Sequence, residues 1–165
     1  MGNPQGTLTK EDLAWLGGIL DGEGSFLLNK RDRHGKNPGY APRISVSNTS
    51  HMMMEEIARI GTEAGFGTWI TKVQGPSSPL SKRAIWQLHI AGTKRCLKAL
   101  NVLLPYVRAK WDQASLLRDF CLHRLEQGHY QDYGPFDDWC FERMREFRNS
   151  SETRSTASEI YQTKG

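Results

Sequence analysis

Leu16-Gly17-Gly18-Ile19-Leu20-Asp21-Gly22-Glu23-Gly24 closes a helical stretch that opens at Thr9-Lys10-Glu11-Asp12, a capping-box pattern with Asp in place of the usual Glu. Two features set it apart from an ordinary surface helix. Gly17 and Gly18 in a helix interior each cost about 1 kcal/mol relative to alanine, so a close contact must offset them. Gly18 and Gly22 stand four apart on one face, the arrangement that lets a second helix of the same kind approach backbone to backbone. Asp21 and Glu23 put acids at the C-terminal end, where the helix dipole is already negative. Carboxylates set against the dipole point to a cation.

Outward from this helix, which should end near Gly22, the periodicity changes. Phe26 to Arg33 reads as a strand, and the Gly/Pro/Asn-rich segment from His34 to Pro42 as a turn. Arg43-Ile44-Ser45-Val46-Ser47 alternates strictly, with Ile44 and Val46 on one face. Met52 to Ala64 has helical spacing at Met53, Ile57, Ile60 and Ala64 and stops at Gly65-Phe66-Gly67. Thr68 to Val73 is a third strand and Ala84 to Ile90 a fourth, with Trp86, Leu88 and Ile90 on the core side. Thr93 is placed as the cap of a helix to about Leu104, Pro105 as the opening of another toward Gln127, and Phe136 to Arg148 as a last amphipathic helix. The fold class is therefore α+β, an αββαββα order with a four-stranded antiparallel sheet covered on one face, followed by C-terminal helices. Residues 7–149 form one domain, and 1–6 and 150–165 are expected to be flexible termini.

Charge is unevenly placed. The whole chain carries +4, but from Gly65 to Ser115 eight basic residues face the single acid Asp112, a net of +7. A polyanion is the natural partner of such a segment. The period of two puts Asn29, Arg31 and Arg33 on the uncovered sheet face, with Arg43, Ser45 and Ser47, Lys72 and Gln74, and Arg83, Gln87 and His89 beside them. These types suit base edges and phosphates in a major groove. Cys96, Cys121 and Cys140 are odd in number and unpaired in spacing, as expected of reduced core residues in an intracellular protein. No stretch approaches the roughly 18 apolar residues of a membrane span, so a membrane partner is not expected. The histidines have no metal-ligand spacing, which argues against zinc. The five tryptophans, Trp15, Trp69, Trp86, Trp111 and Trp139, read as core, with Trp111 placed to border a cleft beside Lys110.

The stretch Leu16 to Gly24 resembles the LAGLIDADG motif of the homing endonucleases, in its variant ending Asp-Gly-Glu-Gly. The resemblance extends to the αββαββα order, to Ser47-Asn48-Thr49 at the end of the second strand, to Gly65-Phe66-Gly67, and to Leu104-Pro105-Tyr106 followed by Lys110 and Gln113. It implies a metal-dependent, site-specific DNA endonuclease that hydrolyses phosphodiester bonds in double-stranded DNA and promotes intron mobility. Glu23 would be the acidic ligand and Gly22 would add its carbonyl, with Mg2+ (or Mn2+) as the cation. By the same resemblance Asn48 would order the hydrolytic water, and Lys110 would stabilise phosphate charge. Taken alone, Glu23 also reads as a surface acid, Asn48 as a turn residue before a helix and Lys110 as a solvated lysine. Family members often carry an arginine a few residues past Asn48; Met52 to Met54 occupy that place, leaving Lys72 or Arg43 as substitutes if geometry allows.

Only one motif copy is present, since Leu116 to Gln127 has neither the glycines nor the Asp-Gly-Glu. A homodimer is therefore expected, paired through Leu13, Leu16, Gly17, Gly18, Asp21 and Gly22, on a near-palindromic site with half-sites about 10 bp apart. An intron RNA maturase and a non-catalytic DNA-binding regulator are the competing readings; the retained acid Glu23 argues against the second. An organellar, a bacterial and an archaeal setting are equally compatible with the sequence.

Overall fold

A computed structural model describes residues 7–73, 83–128 and 131–162. Helix α1 (Lys10–Glu23) starts at the expected capping box: Thr9 Oγ1 accepts from Asp12 N at 3.1 Å, and Asp12 Oδ2 accepts from Thr9 N at 3.0 Å. Burial alone would raise the Asp12 carboxyl, but the Thr9 hydrogen bonds and the charge of Arg59 outweigh it and hold it below the usual carboxylate value. Arg59 also binds Glu56 and Glu63, so this guanidinium ties α2 (His51–Ala64) to the start of α1. Helix α2 stops at Gly65, which takes a left-handed φ of 80° that few other residues adopt without strain.

Strands β1 (Gly24–Arg31), β2 (Gly39–Asn48), β3 (Trp69–Lys72) and β4 (Trp86–Ala91) form one antiparallel sheet in the order β1-β2-β4-β3. Phe26, Leu28, Ile44, Val46, Leu88 and Ile90 all point to the side covered by helices and are buried there. They pack with Leu16 and Leu20 of α1, Met54, Ile57 and Ile60 of α2, and Cys96, Leu100 and Leu103 of α3 (Thr93–Leu103). Helices α4 (Trp111–Gln127) and α5 (Pro135–Gln162) complete the layer through Leu117, Phe120, Cys121 and Cys140. All three cysteines are free and buried, as the sequence leads one to expect, and burial pushes the Cys96 thiol up to about 12.

Several boundaries differ from the sequence reading. The cap of α3 is Gly92, at φ 96°, without a side-chain hydrogen bond; Thr93 is already the first helical residue. Pro105 does not open a long helix. It lies in a 3-10 turn, Leu104–Tyr106, and α4 begins only at Trp111 because the intervening backbone is held by Asp21, as described below. Helix α5 continues past Arg148, through the stretch expected to be flexible, to Gln162. Four tryptophans are not core residues, Trp15, Trp69, Trp111 and Trp139 being 38–54% exposed, whereas Trp86 is half-buried and packs against the core, as read. Each of the four exposed rings flanks a polar or charged neighbour or lies on a helix exterior.

Tight packing explains one motif glycine. A Cβ on Gly17 would lie 2.5 Å from Tyr106 O, so α1 rests directly on the 3-10 turn of its own chain. Gly17→Ala should therefore lower stability by about 1–3 kcal/mol through overpacking. A urea denaturation midpoint shifted down checks this, and an unchanged midpoint would contradict the contact.

Candidate active site and nucleic-acid interface

Helix α1 passes into β1 with no residue between them, so Glu23 ends the helix and Gly24 begins the strand. Gly24 is buried, and a Cβ there would fall 2.7 Å from Leu20 Cα. This reversal carries the Glu23 carboxylate out to solvent beside the end of β2. Asn48, the last residue of β2, donates from Nδ2 to Glu23 Oε2 at 2.6 Å. Its Oδ1 accepts from Ser50 N at 2.8 Å, and Ser50 in turn caps α2 by accepting from Met53 N. Asn48 is thus the turn residue before α2, as one reading of the sequence has it, and also the hydrogen-bond partner of Glu23.

Lys110 reaches the same junction from the opposite side, donating from Nζ to Gly24 O at 2.6 Å. Burial lowers its pKa, and the nearby Asp21 carboxylate works against that shift. Asp21 accepts from Arg108 N at 2.9 Å and from Lys110 N at 3.1 Å, which fixes the segment between the 3-10 turn and α4. Glu23, Asn48 and Lys110, separate in sequence, therefore converge on one corner of the molecule.

The expected pairing surface divides in two. Leu16 is 1% exposed within its own core, Gly17 packs on Tyr106, Leu13 packs against the same core, and Asp21 serves the Arg108–Lys110 segment. These four are occupied inside the chain. Gly18 and Gly22 differ: a Cβ at either would meet nothing within 4 Å. Together with exposed Ala14 they form an open line of small residues at four-residue spacing, with Trp15 beside it.

On the uncovered sheet face, the strand register places Asn29, Arg31, Arg43, Ser45, Ser47, Gln87 and His89 together, as read from the sequence. Lys72 does not join them. It pairs with Trp86 and so belongs to the helix-covered side, its Nζ 6.0 Å from the Trp86 ring; Trp69 and Thr71 take the uncovered positions of β3. A shift of one residue in a short strand turns every side chain over. Neither Lys72 nor Arg43 approaches the Glu23 corner through any hydrogen bond described. Arg33 lies beyond the end of β1 and turns to Asp132, 3.5 Å away, and to the Tyr133 ring. Arg83 is exposed ahead of β4, and Gln74 lies outside the described residues.

Ser45 and His89 are on this face yet buried. Trp69 covers His89 with ring centres 5.1 Å apart, the Arg43 guanidinium lies 5.9 Å from the Trp69 ring, and Thr71 Oγ1 is 3.3 Å from His89 Nε2. His89 Nδ1 is buried without a hydrogen-bond partner. Burial, and then the charge of Arg43, lower the pKa of His89. Signals for Trp69, Thr71 and the anchoring role of Asp21 are weak in sequence, because the first two depend on the β3–β4 register and the third on contacts 87–89 residues distant.

No protein-family model matches the chain, and no curated protein matches it. Solved structures do. I-CvuI, a homing endonuclease in complex with the I-CreI target, is similar with a TM-score of 0.57 at 16% identity, over 82% of this chain and 98% of that one. I-CeuI, an intron-encoded homing endonuclease complexed with DNA, has a TM-score of 0.57 at 17% identity, over 73% and 58%. The LAGLIDADG homing endonuclease I-SmaMI bound to cleaved DNA has a TM-score of 0.61 at 13% identity, over 87% of this chain and 44% of that one. The chain has the LAGLIDADG homing-endonuclease fold, and the stretch Leu16 to Gly24 that resembles the motif covers the end of α1 and the first residue of β1.

Two outcomes follow from this geometry. Asp21→Ala strands the N–H groups of Arg108 and Lys110 and should cost about 1–3 kcal/mol, read as a lower urea midpoint; an unshifted midpoint would mean that water replaces the carboxylate without loss. The folded His89 ring takes a proton at lower pH than the unfolded ring, so its contribution to stability is intact above the ordinary histidine range and is lost as pH falls through it. Between about pH 7.5 and about pH 5.5 the unfolding free energy should drop more steeply in the wild type than in His89→Gln, and equal slopes would contradict the assignment.

Proposed function

We propose that this protein is a site-specific, metal-dependent endonuclease acting on double-stranded DNA, and that two copies of the chain form the working molecule. The observation that carries this reading is the convergence of Glu23, Asn48 and Lys110 at one end of a polar and cationic sheet face. DNA lying along that face would bring a backbone phosphate to the Glu23 corner. I-CvuI, I-CeuI and I-SmaMI are all solved with DNA, I-CvuI in the presence of 2 mM Mg, with its DNA uncleaved, and in that of 2 mM Ca.

The residues fit a hard divalent cation. Glu23 offers an exposed carboxylate, and Gly22 a carbonyl in the last turn of α1, where main-chain oxygens have no partner inside the helix. Among the described residues no three His, Cys, Asp or Glu side chains cluster. With Asp21 engaged by main-chain N–H groups, Glu23 is the carboxylate a single chain offers at this corner, a donor set that suits Mg2+ or Mn2+ completing its shell with waters and phosphate oxygens. Such an ion would activate water and neutralise phosphate charge. Asn48 holds the plane of the Glu23 carboxylate by its 2.6 Å hydrogen bond, and its own orientation is locked by Ser50 N. Lys110, partly stripped of water, presents a cation to the phosphate with less hydration to lose than a surface lysine.

Pairing through the open Ala14, Gly18 and Gly22 line would set two Glu23 carboxylates beside the same short stretch of duplex. That I-CvuI is matched over nearly its whole length, and I-SmaMI over 44% of its own, agrees with one chain here supplying half of a two-part molecule. Two symmetric halves would read a near-palindromic site, each mismatch costing roughly 1–3 kcal/mol. Glu23→Gln keeps the shape and the Asn48 contact while removing the charge. Metal-dependent cleavage of DNA libraries carrying candidate sites should fall to background while duplex binding persists. Undiminished cleavage by the variant would overturn the assignment of Glu23.

A further inference from the structure

A groove of about 390 Å³ runs along the outer edge of β1, walled by α4 and α5, and none of its lining residues is acidic. Lys30, Lys110, Arg145 and Arg148 supply its charge, and Phe141 and Met144 form an apolar floor. Strand β1 has β2 as its single neighbour, so half of its main-chain groups face this groove; Lys110 already engages one of them, Gly24 O. Lys110 thus belongs both to the groove and to the Glu23 corner, which makes the two surfaces continuous. Arg145 and Arg148 stand three apart on α5, on one helix face, and both are exposed. Arg145 pairs with Glu142 at 3.0 Å, and Lys30 Nζ lies 6.0 Å from the centre of the Phe141 ring. The Arg145 pair is exposed on both sides, so a phosphate displaces it at little cost.

We propose that this groove is a second DNA contact surface, in which α5 clamps the sugar–phosphate backbone leading away from the Glu23 corner. Four cations on a lining that itself holds no acid match phosphates, the exposed Glu142 partner of Arg145 lying outside that lining, and the apolar floor between them matches the deoxyribose faces. This assignment rests on the DNA-binding reading above and extends it to residues outside the sheet. The contact is independent of sequence, because none of the groove's charges is placed to read a base edge from the sheet face.

The test uses the full chain and a short random-sequence duplex, with binding followed by fluorescence anisotropy across a series of salt concentrations. Each lost phosphate contact lowers the slope of log K against log salt by about 0.9. The double variant Arg145→Gln, Arg148→Gln should bind more weakly at low salt, with a slope shallower by roughly 1–2. Arg143→Gln, on the opposite flank of α5 and paired with Glu146, should leave both unchanged. A wild-type chain that binds the duplex together with a double variant of unchanged slope would overturn the clamp and leave the sheet-face reading intact. Loss of affinity without change in slope would equally overturn it, since the arginines would then act through structure rather than charge. A wild-type chain that does not bind duplex at all would overturn the DNA-binding reading itself.

Discussion

A helix that becomes a strand with no residue between is the constraint on which the rest of this molecule depends. At Glu23–Gly24 the chain must turn from α1 into β1 in one step, and the close approach of Gly24 to Leu20 leaves no room for a side chain there. Leu16 and Leu20 hold the buried side of the helix in the core, so the other side of its last turn is forced outward. The carboxylate of Glu23 is then fixed at a corner that β2 and α4 also reach. Asn48 arrives because the β1–β2 register pairs Gly24 with Val46, two residues before it. Lys110 arrives because Asp21, two residues back on the same helix, grips the segment that carries it. One junction positions three side chains.

The charges around this corner are arranged in opposition. Acids at the end of a helix are unfavourable with respect to the dipole, and here the opposition is relieved separately for each. Asp21 is satisfied by main-chain N–H groups and plays a structural part. Glu23 has the neutral donor Asn48, which leaves its negative charge available to a cation. The surrounding cations lie on the sheet face and along the edge of β1, where a polyanion can span them.

Sequence patterns reveal those parts of this design that depend on local rules. The reciprocal Thr9–Asp12 cap, the stop at Gly65 and the alternation through Ile44 and Val46 follow from side-chain chemistry within a few residues, and each is found as read. Errors fall where distant contacts decide. Lys72 is on the wrong face because a four-residue strand carries too little alternation to fix its own register; pairing with Trp86 does so instead. Pro105 looks like a helix start, yet Asp21, 84 residues earlier, holds the following backbone out of helical form. Tryptophans read as core by hydrophobicity lie at the surface at four of five positions, among them Trp69, which lids a histidine, whereas Trp86 packs against the core as read. The motif glycines look alike in sequence, but Gly17 serves contact within the chain, whereas Gly18 and Gly22 remain open.

That open line carries the central claim, since one chain brings one Glu23 to the corner and the proposed chemistry requires two copies. The mass of the protein bound to a duplex, measured by sedimentation or light scattering, tests it directly. The account predicts two 18.7 kDa chains per duplex for the wild type and one for a variant with Gly18→Arg that keeps its fold. A single wild-type chain on the duplex, or a pair that is indifferent to arginine at that position, would contradict it.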